Sequence, residues 1–153
     1  MIIMKLSMVV PCYNEAENVA AFQSAVVQAF TDCGYDYEIV FVDDGSKDAT
    51  LHELRKLHTK QDCPVKVVSF SRNFGKEAAL YAGLKHADGD YVSLIDADLQ
   101  QDPALVREMV QILETKPEYD VVAAYQDRRN EGKVLSFFKK SLPTARLPPI
   151  LSQ

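Results

Sequence analysis

Three carboxylates crowd the segment SLIDADLQQDP, residues 93–103: Asp96 and Asp98 stand one residue apart, with Asp102 close behind. No basic residue follows until Arg107. Like charges this close repel unless a cation lies between them, so the D-x-D pair asks for a positive partner that the segment does not supply. A D-x-D alone is a weak signal, because short acidic pairs at strand ends are commonly solvated turns. Three other polar clusters strengthen it: PCYNE at 11–15, DDGS at 43–46 and SRNFGK at 71–76. Arg72 and Lys76 in the last of these suit a diphosphate. Asp43-Asp44-Gly45-Ser46 reads either as a strand-to-helix connection capped by Ser46 or Asp48, or as a place where Asp43 accepts the N–H of a base ring.

A regular alternation of apolar strands and helices must position these residues. The pattern predicts strands at 5–11, 37–44, 65–71, 91–96 and 120–125. Between them, 17–30 repeats at helical spacing through Val19, Phe22, Val26 and Phe30, and 48–60 carries a core stripe of Leu51, Leu54 and Leu57. A third helix is predicted over 76–87, and a fourth from Pro103 to 113, capped by Asp102. The strands are continuous apolar runs, each followed by a helix. The fold class is therefore α/β, a mainly parallel sheet with helices on both faces. In an open sheet of this kind ligands bind outside the carboxyl ends of the strands, and all four polar clusters fall on that rim.

Composition narrows the function. The 153 residues suit one domain, 47% hydrophobic and 25% charged, and a net charge of −5 argues against nucleic-acid binding. Cys12, Cys33 and Cys63 lack metal-ligand spacing and read as buried or unreactive thiols in a reducing cytosol. His52, His58 and His86 read as solvated positions on helix faces. No G-x-G-x-x-G follows the first strand and no G-x-x-x-x-G-K-[ST] occurs, so dinucleotide-enzyme and P-loop readings lack their phosphate cradle. A response-regulator receiver would need a lysine after a late strand, and DVVAAYQD has none.

Taken together, VVPCYNEAENV, FVDDGSKDAT and FSRNFGKEAALYAGLKHADGDYVSLIDADLQQDP resemble the N-terminal catalytic domain of inverting family 2 glycosyltransferases with the GT-A fold. The resemblance is strongest to the polyprenyl-phosphate hexosyltransferases, and RNFGKEAAL is nearer to the bactoprenol glucosyltransferases than to the dolichol-phosphate mannose synthases. It implies a nucleotide-sugar-binding catalytic domain over 1–129. Pro11, Tyr13, Glu15, Asp43, Asp44 and Asp96 would hold the nucleotide, with Arg72 and Lys76 near the diphosphate. Asp96, Asp98 and Gln100 would face Mg²⁺ or Mn²⁺, and Asp98 and Arg128 would serve catalysis. The implied donor is a nucleotide-diphospho-sugar, UDP-glucose ahead of GDP-mannose, and the implied acceptor is a polyprenyl phosphate.

The chain departs from that family after about residue 130. Family members continue into acceptor-binding segments, an interfacial helix and often transmembrane helices, on the cytoplasmic side of a membrane. Here SLPTARLPPILSQ places three prolines within seven residues, which opposes a helix. No run of ~20 apolar residues occurs. Residues 130–153 are thus expected to be an atypical, truncated tail, and the chain is expected to be soluble. VLSFFKK at 134–140 is the one candidate for an amphipathic membrane contact. The alternatives are an inactive nucleotide-sugar-binding remnant, or a family 2 transferase acting on a polysaccharide or other sugar acceptor. Even an active family member cut at this point is expected to bind donor while transferring little sugar.

Overall fold

The computed structural model describes residues 4–60, 63–125 and 134–136. Two strands, β1 (Lys5–Cys12) and β2 (Asp36–Asp43), run parallel at the centre of a four-stranded sheet. β3 (Val65–Ser69) flanks β2 and β4 (Tyr91–Leu94) flanks β1, both parallel, giving the order β3-β2-β1-β4. The central strands are covered on both faces, which is why KLSMVVPC and DYEIVFVD read as apolar runs without strict alternation.

Three helices cover this sheet: α1 (Val19–Phe30), α2 (Thr50–Thr59) and α3 (Lys76–His86). The predicted stripe Val19, Phe22, Val26 and Phe30 of α1 is buried. On that face Phe22 meets Phe41 edge-on at 6.0 Å, and Phe30 lies 5.2 Å from Tyr37. Leu54 and Leu57 of α2 are core residues, as their spacing predicts, whereas Leu51, expected on the same stripe, is only half-buried. The opposite face carries Val9 and Val42, against which α3 lies. A Cβ at Gly83 would stand 2.2 Å from Val9 Cγ1, so only glycine allows the helix this close.

The chain order creates a switch point. From β1 it steps through β2 to β3 on one side, then returns to place β4 on β1's other side. The two sets of crossover loops diverge between the carboxyl ends of β1 and β4, leaving a crevice there. Pro11 is tolerated at that place for a simple reason. Its missing N–H would point towards β4, but β4 pairs with β1 only as far as Val9↔Leu94, with Ile95 N–H donating to Val9 O at 3.1 Å.

At the other end of the strands a buried carboxylate ties the sheet together. Glu38 Oε1 accepts from Ser7 Oγ at 2.7 Å and from Asp88 N at 3.0 Å, while Oε2 pairs with Lys5 Nζ at 2.9 Å and Lys66 Nζ at 3.1 Å. Lys66 also pairs with Asp88, and Gly89 N–H donates to Ser7 Oγ at 2.8 Å. Burial alone would raise the Glu38 pKa. The Asp88 N–H, Lys5, Ser7 and Lys66 outweigh that and bring it down to about 2.

The chain divides into two compact units, Met1–Glu108 and Met109–Gln153, the boundary falling within α4 (Pro103–Thr115). Asp102 starts α4 as predicted: its Oδ1 accepts from Ala104 N at 2.9 Å and its carbonyl from Leu105 N at 2.9 Å. The second unit corrects two expectations. The strand predicted at 120–125 is shortened to β5 (Ala123–Tyr125) and does not extend the parallel sheet; it pairs antiparallel with β6 (Val134–Ser136). The start of VLSFFKK is accordingly a strand, with no helix over 134–136. A short connection suffices for an antiparallel pair, whereas a parallel partner needs a long crossover. Residues 137–140 lie outside the described residues.

A depressed carboxylate pKa is a stability statement with a definite sign. Glu38 stabilises the fold above its unfolded value near 4.5, and that contribution fades as pH falls from there towards about 2. Thermal melts between pH 7 and pH 2 are expected to lose roughly 2–3 kcal/mol through this one group. Glu38→Gln is expected to be less stable at pH 7 and flatter over the acid range. An unchanged acid slope in that variant would remove Glu38 from the explanation.

Candidate functional site

The loops leaving β1, β2 and β3 are tied to one another by side chains that bond across them. Asn14, at a left-handed φ of 55°, donates its N–H to Ser46 Oγ at 3.0 Å and accepts from Lys47 N at 2.9 Å. Glu15 N–H donates to the buried Thr50 Oγ1 at 2.8 Å, and Ala16 N–H to Asp48 Oδ2 at 3.3 Å. These bonds fasten the β1–α1 loop to the β2–α2 loop. Ser46 and Asp48 therefore serve as cross-links, and Asp48 Oδ1 also accepts from Thr50 N at 2.9 Å at the start of α2, although the residue preceding the helix is Ala49.

The β2–α2 loop in turn holds the β3–α3 loop. Asp44, 4% exposed, accepts Phe74 N at 2.7 Å on Oδ1 and Gly75 N at 3.1 Å on Oδ2. Beside it, Gly45 has φ +66°, and a Cβ there would lie 2.2 Å from the Arg72 carbonyl carbon. Both facts require glycine. Asp43 is buried behind Asp44, with Oδ1 accepting from Ser46 N at 3.1 Å and Oδ2 from Ser69 Oγ at 3.3 Å.

The fourth loop carries the D-x-D. Ile95 and Ala97 are buried, so Asp96 and Asp98 both turn outward. Leu99 follows with φ 60°, a strained value for a leucine, and in this turn Asp98 Oδ1 accepts Gln100 N at 3.1 Å. Lys76, the first residue of α3, places Nζ 2.7 Å from Asp96 Oδ1.

These loops line a cleft of about 280 Å³ at the switch point. On the β1 side it is walled by Pro11, Cys12, Tyr13 and Glu15, on the β4 side by Asp96, Ala97 and Asp98, with Asp44, Lys76 and Ala79 between them. Four of these side chains are carboxylates and one is an ammonium. Cys12 takes no part as a nucleophile: burial above all, then Glu15, Asp43 and Asp96, pushes its thiol pKa far up. Cys63 is also buried, as expected of an unreactive thiol.

The structure thus brings Pro11, Tyr13, Glu15, Asp44, Lys76, Asp96 and Asp98 together, seven of the residues singled out from the sequence. Asp43, Arg72 and Gln100 are not part of the lining. The Arg72 guanidinium stacks on Phe74 instead, 4.5 Å from the ring centroid. Arg128 lies outside the described residues. Asn14, Ser46 and Thr50, which set the loops, were not singled out as a network; the D-x-T spacing of Asp48 and Thr50, whose side chains bond each other, was the available signal. His52, His58 and His86 are exposed, and His58 Nδ1 lies 2.6 Å from Val65 O.

Among the described residues no group of three or more histidines, cysteines and carboxylates could hold a metal by itself. An ion such as Mg²⁺ needs no such group, because it takes one or two protein carboxylates and completes its shell with phosphate and water. Asp96 and Asp98 face one cleft with hard carboxylate oxygens, and a carboxylate with one hydrogen bond keeps lone pairs to offer. The donor set fits a hard divalent ion.

The comparisons with known proteins agree with the fold. Residues 7–148 match the model of glycosyl transferase family 2. The chain is 42% identical over 132 residues to CsbB of Bacillus subtilis (strain 168), which carries a glycosyltransferase name, covering 86% of this chain and 39% of that protein. It is 41% identical over 131 residues to the bactoprenol glucosyl transferase of Shigella phage SfV, covering 86% and 42%. The chain thus spans about two fifths of the length of the curated relatives it matches. Among solved structures, the mannosyltransferase PcManGT from Pyrobaculum calidifontis, in complex with GDP-Man and Mn²⁺, superposes with a TM-score of 0.64 at 28% identity, covering 73% of this chain and 33% of that one. With the family model matching almost its whole length, this chain belongs to glycosyl transferase family 2.

Proposed function

We propose that this chain holds the donor site of a transferase that moves a hexose from a nucleotide-diphospho-sugar to a polyprenyl phosphate. The observation that carries the reading is the cleft's charge. Four carboxylates against one ammonium repel a free diphosphate, so a dianionic donor needs a divalent cation to enter. Asp96 and Asp98 would receive that ion. Two comparisons support the reading: one relative is named for bactoprenol and glucosyl transfer, and one neighbouring structure contains GDP-Man with Mn²⁺.

Each residue then has a physical task. Tyr13 is 42% exposed at the cleft's mouth and offers a ring for the base to lie against. Glu15 and Asp44 set the walls, and Asp43 braces the turn behind them. Breaking the sugar C1–O bond leaves negative charge on the departing diphosphate; a bound Mg²⁺ or Mn²⁺ supplies the neutralising charge. Lys76 adds a positive charge on the same side. By family resemblance Arg128 and Gln100 would contribute as well, within a catalytic domain over 1–129. An acceptor phosphate is ionised near neutral pH and needs no strong general base. UDP-glucose is the preferred donor, on the RNFGKE segment.

Calorimetry with UDP-glucose and GDP-mannose, in Mg²⁺ and then in EDTA, tests the reading. Tighter binding of UDP-glucose, lost in EDTA, is the expected result; equal affinity in EDTA would remove the metal role of the D-x-D. Asp98→Ala is expected to weaken metal-dependent donor binding by on the order of tenfold or more. Asp102→Ala should spare donor binding and cost about 1 kcal/mol of stability, the usual scale for a lost helix cap. Two variants alike in binding and in melting would overturn this division of roles.

A further inference from the structure

Lys76 and Asp96 make an unusual pair for their position. Lys76 opens α3, where a cation opposes the helix dipole and weakens the helix. Helix formation therefore gives no reason for lysine here. Its Nζ instead reaches 2.7 Å from Asp96 Oδ1, across the cleft's inner edge. Both side chains remain substantially exposed, at 60% and 45%, so the bond is weak and exchangeable. The backbone beneath is fixed, because Gly75 N–H is held by Asp44, while four rotatable bonds leave the ammonium free to swing. Among the described residues lining the cleft it is also the only basic side chain.

Resting on the donor-site reading above, we propose that Lys76 is a counter-ion switch that couples the divalent cation to the diphosphate. Before the ligands bind, its ammonium neutralises Asp96. When a cation takes that carboxylate, the ammonium turns to the diphosphate that accompanies it. A cation arriving alone must displace Lys76 and remain beside its charge, so it binds weakly. A nucleotide arriving with it gives the displaced ammonium a new partner. Each ligand therefore strengthens the other by the same factor, as linkage requires.

The test counts bound Mn²⁺ by electron paramagnetic resonance, alone and with UDP or GDP, for wild type, Lys76→Met and Lys76→Arg. Lys76 is exposed, so both variants should fold, and a melt of each verifies it. Wild type is expected to bind Mn²⁺ more tightly with nucleotide present. Lys76→Met is expected to bind Mn²⁺ alone about fivefold more tightly, the upper range for an exposed ion pair, and to lose most of the nucleotide's enhancement. Lys76→Arg should behave as wild type. If Lys76→Met keeps both the wild-type affinity and the enhancement, the switch is wrong while the donor site stands. If nucleotide leaves Mn²⁺ binding to wild type unchanged, the donor-site reading falls and the switch falls with it.

Discussion

One buried carboxylate sets the working rim of this sheet. Asp44 sits just past the end of β2, almost out of reach of water, and a charge placed there must be satisfied by fixed donors. Its two oxygens take the N–H groups of Phe74 and Gly75, so the start of α3 cannot move without stranding the charge. Gly45 makes the approach possible, since any side chain there would strike the backbone of Arg72. Lys76 follows directly and reaches the loop after β4. On the other side, Asn14, Ser46, Asp48 and Thr50 fasten the β1 loop to the same β2 loop. Each loop is held by its neighbour, and Asp44 is the joint between the two pairs.

The two ends of the sheet treat charge in opposite ways. Near the amino ends, Glu38 is buried and fully answered, with two lysines, a serine and a backbone N–H around it. That charge is spent on the fold. At the carboxyl ends, Asp44 is answered by backbone N–H groups, while Glu15, Asp96 and Asp98 line the cleft with one exposed ammonium, Lys76. The cleft is open to water, which makes that imbalance of charge tolerable. The topology explains the location: β4 lies on the far side of β1 from β2 and β3, so the crevice opens where the chain changes direction.

Much of this was legible in the sequence, for local reasons. VVP and FVDD announce strands because both faces of the central strands are buried, and the stripe of α1 follows from its 3.6-residue period. The D-x-D is legible because Ala97 is small and buried, which leaves both neighbouring acids facing out. Asp43 shows the limit of such reading. Adjacent acids at a strand end look equivalent, yet only Asp44 reaches the cleft, since alternate side chains point to opposite faces. Arg72 is expected near a diphosphate from its charge, and in this structure its guanidinium stacks on the Phe74 ring, a contact its local sequence does not announce. The pairing of β5 with β6 depends on contacts across a connection of eight residues, 126–133, which no local pattern encodes.

Paramagnetic broadening in ¹⁵N-labelled protein tests the donor site most directly. Small amounts of Mn²⁺ added with UDP should broaden the amides of Asp96, Ala97 and Asp98 first, then those of Tyr13, Gly75 and Lys76, while amides around Glu38 and Asp88 stay sharp. Broadening that begins at Glu38 and Asp88, or spreads evenly over the surface acids, would contradict a cation-dependent donor site between β1 and β4.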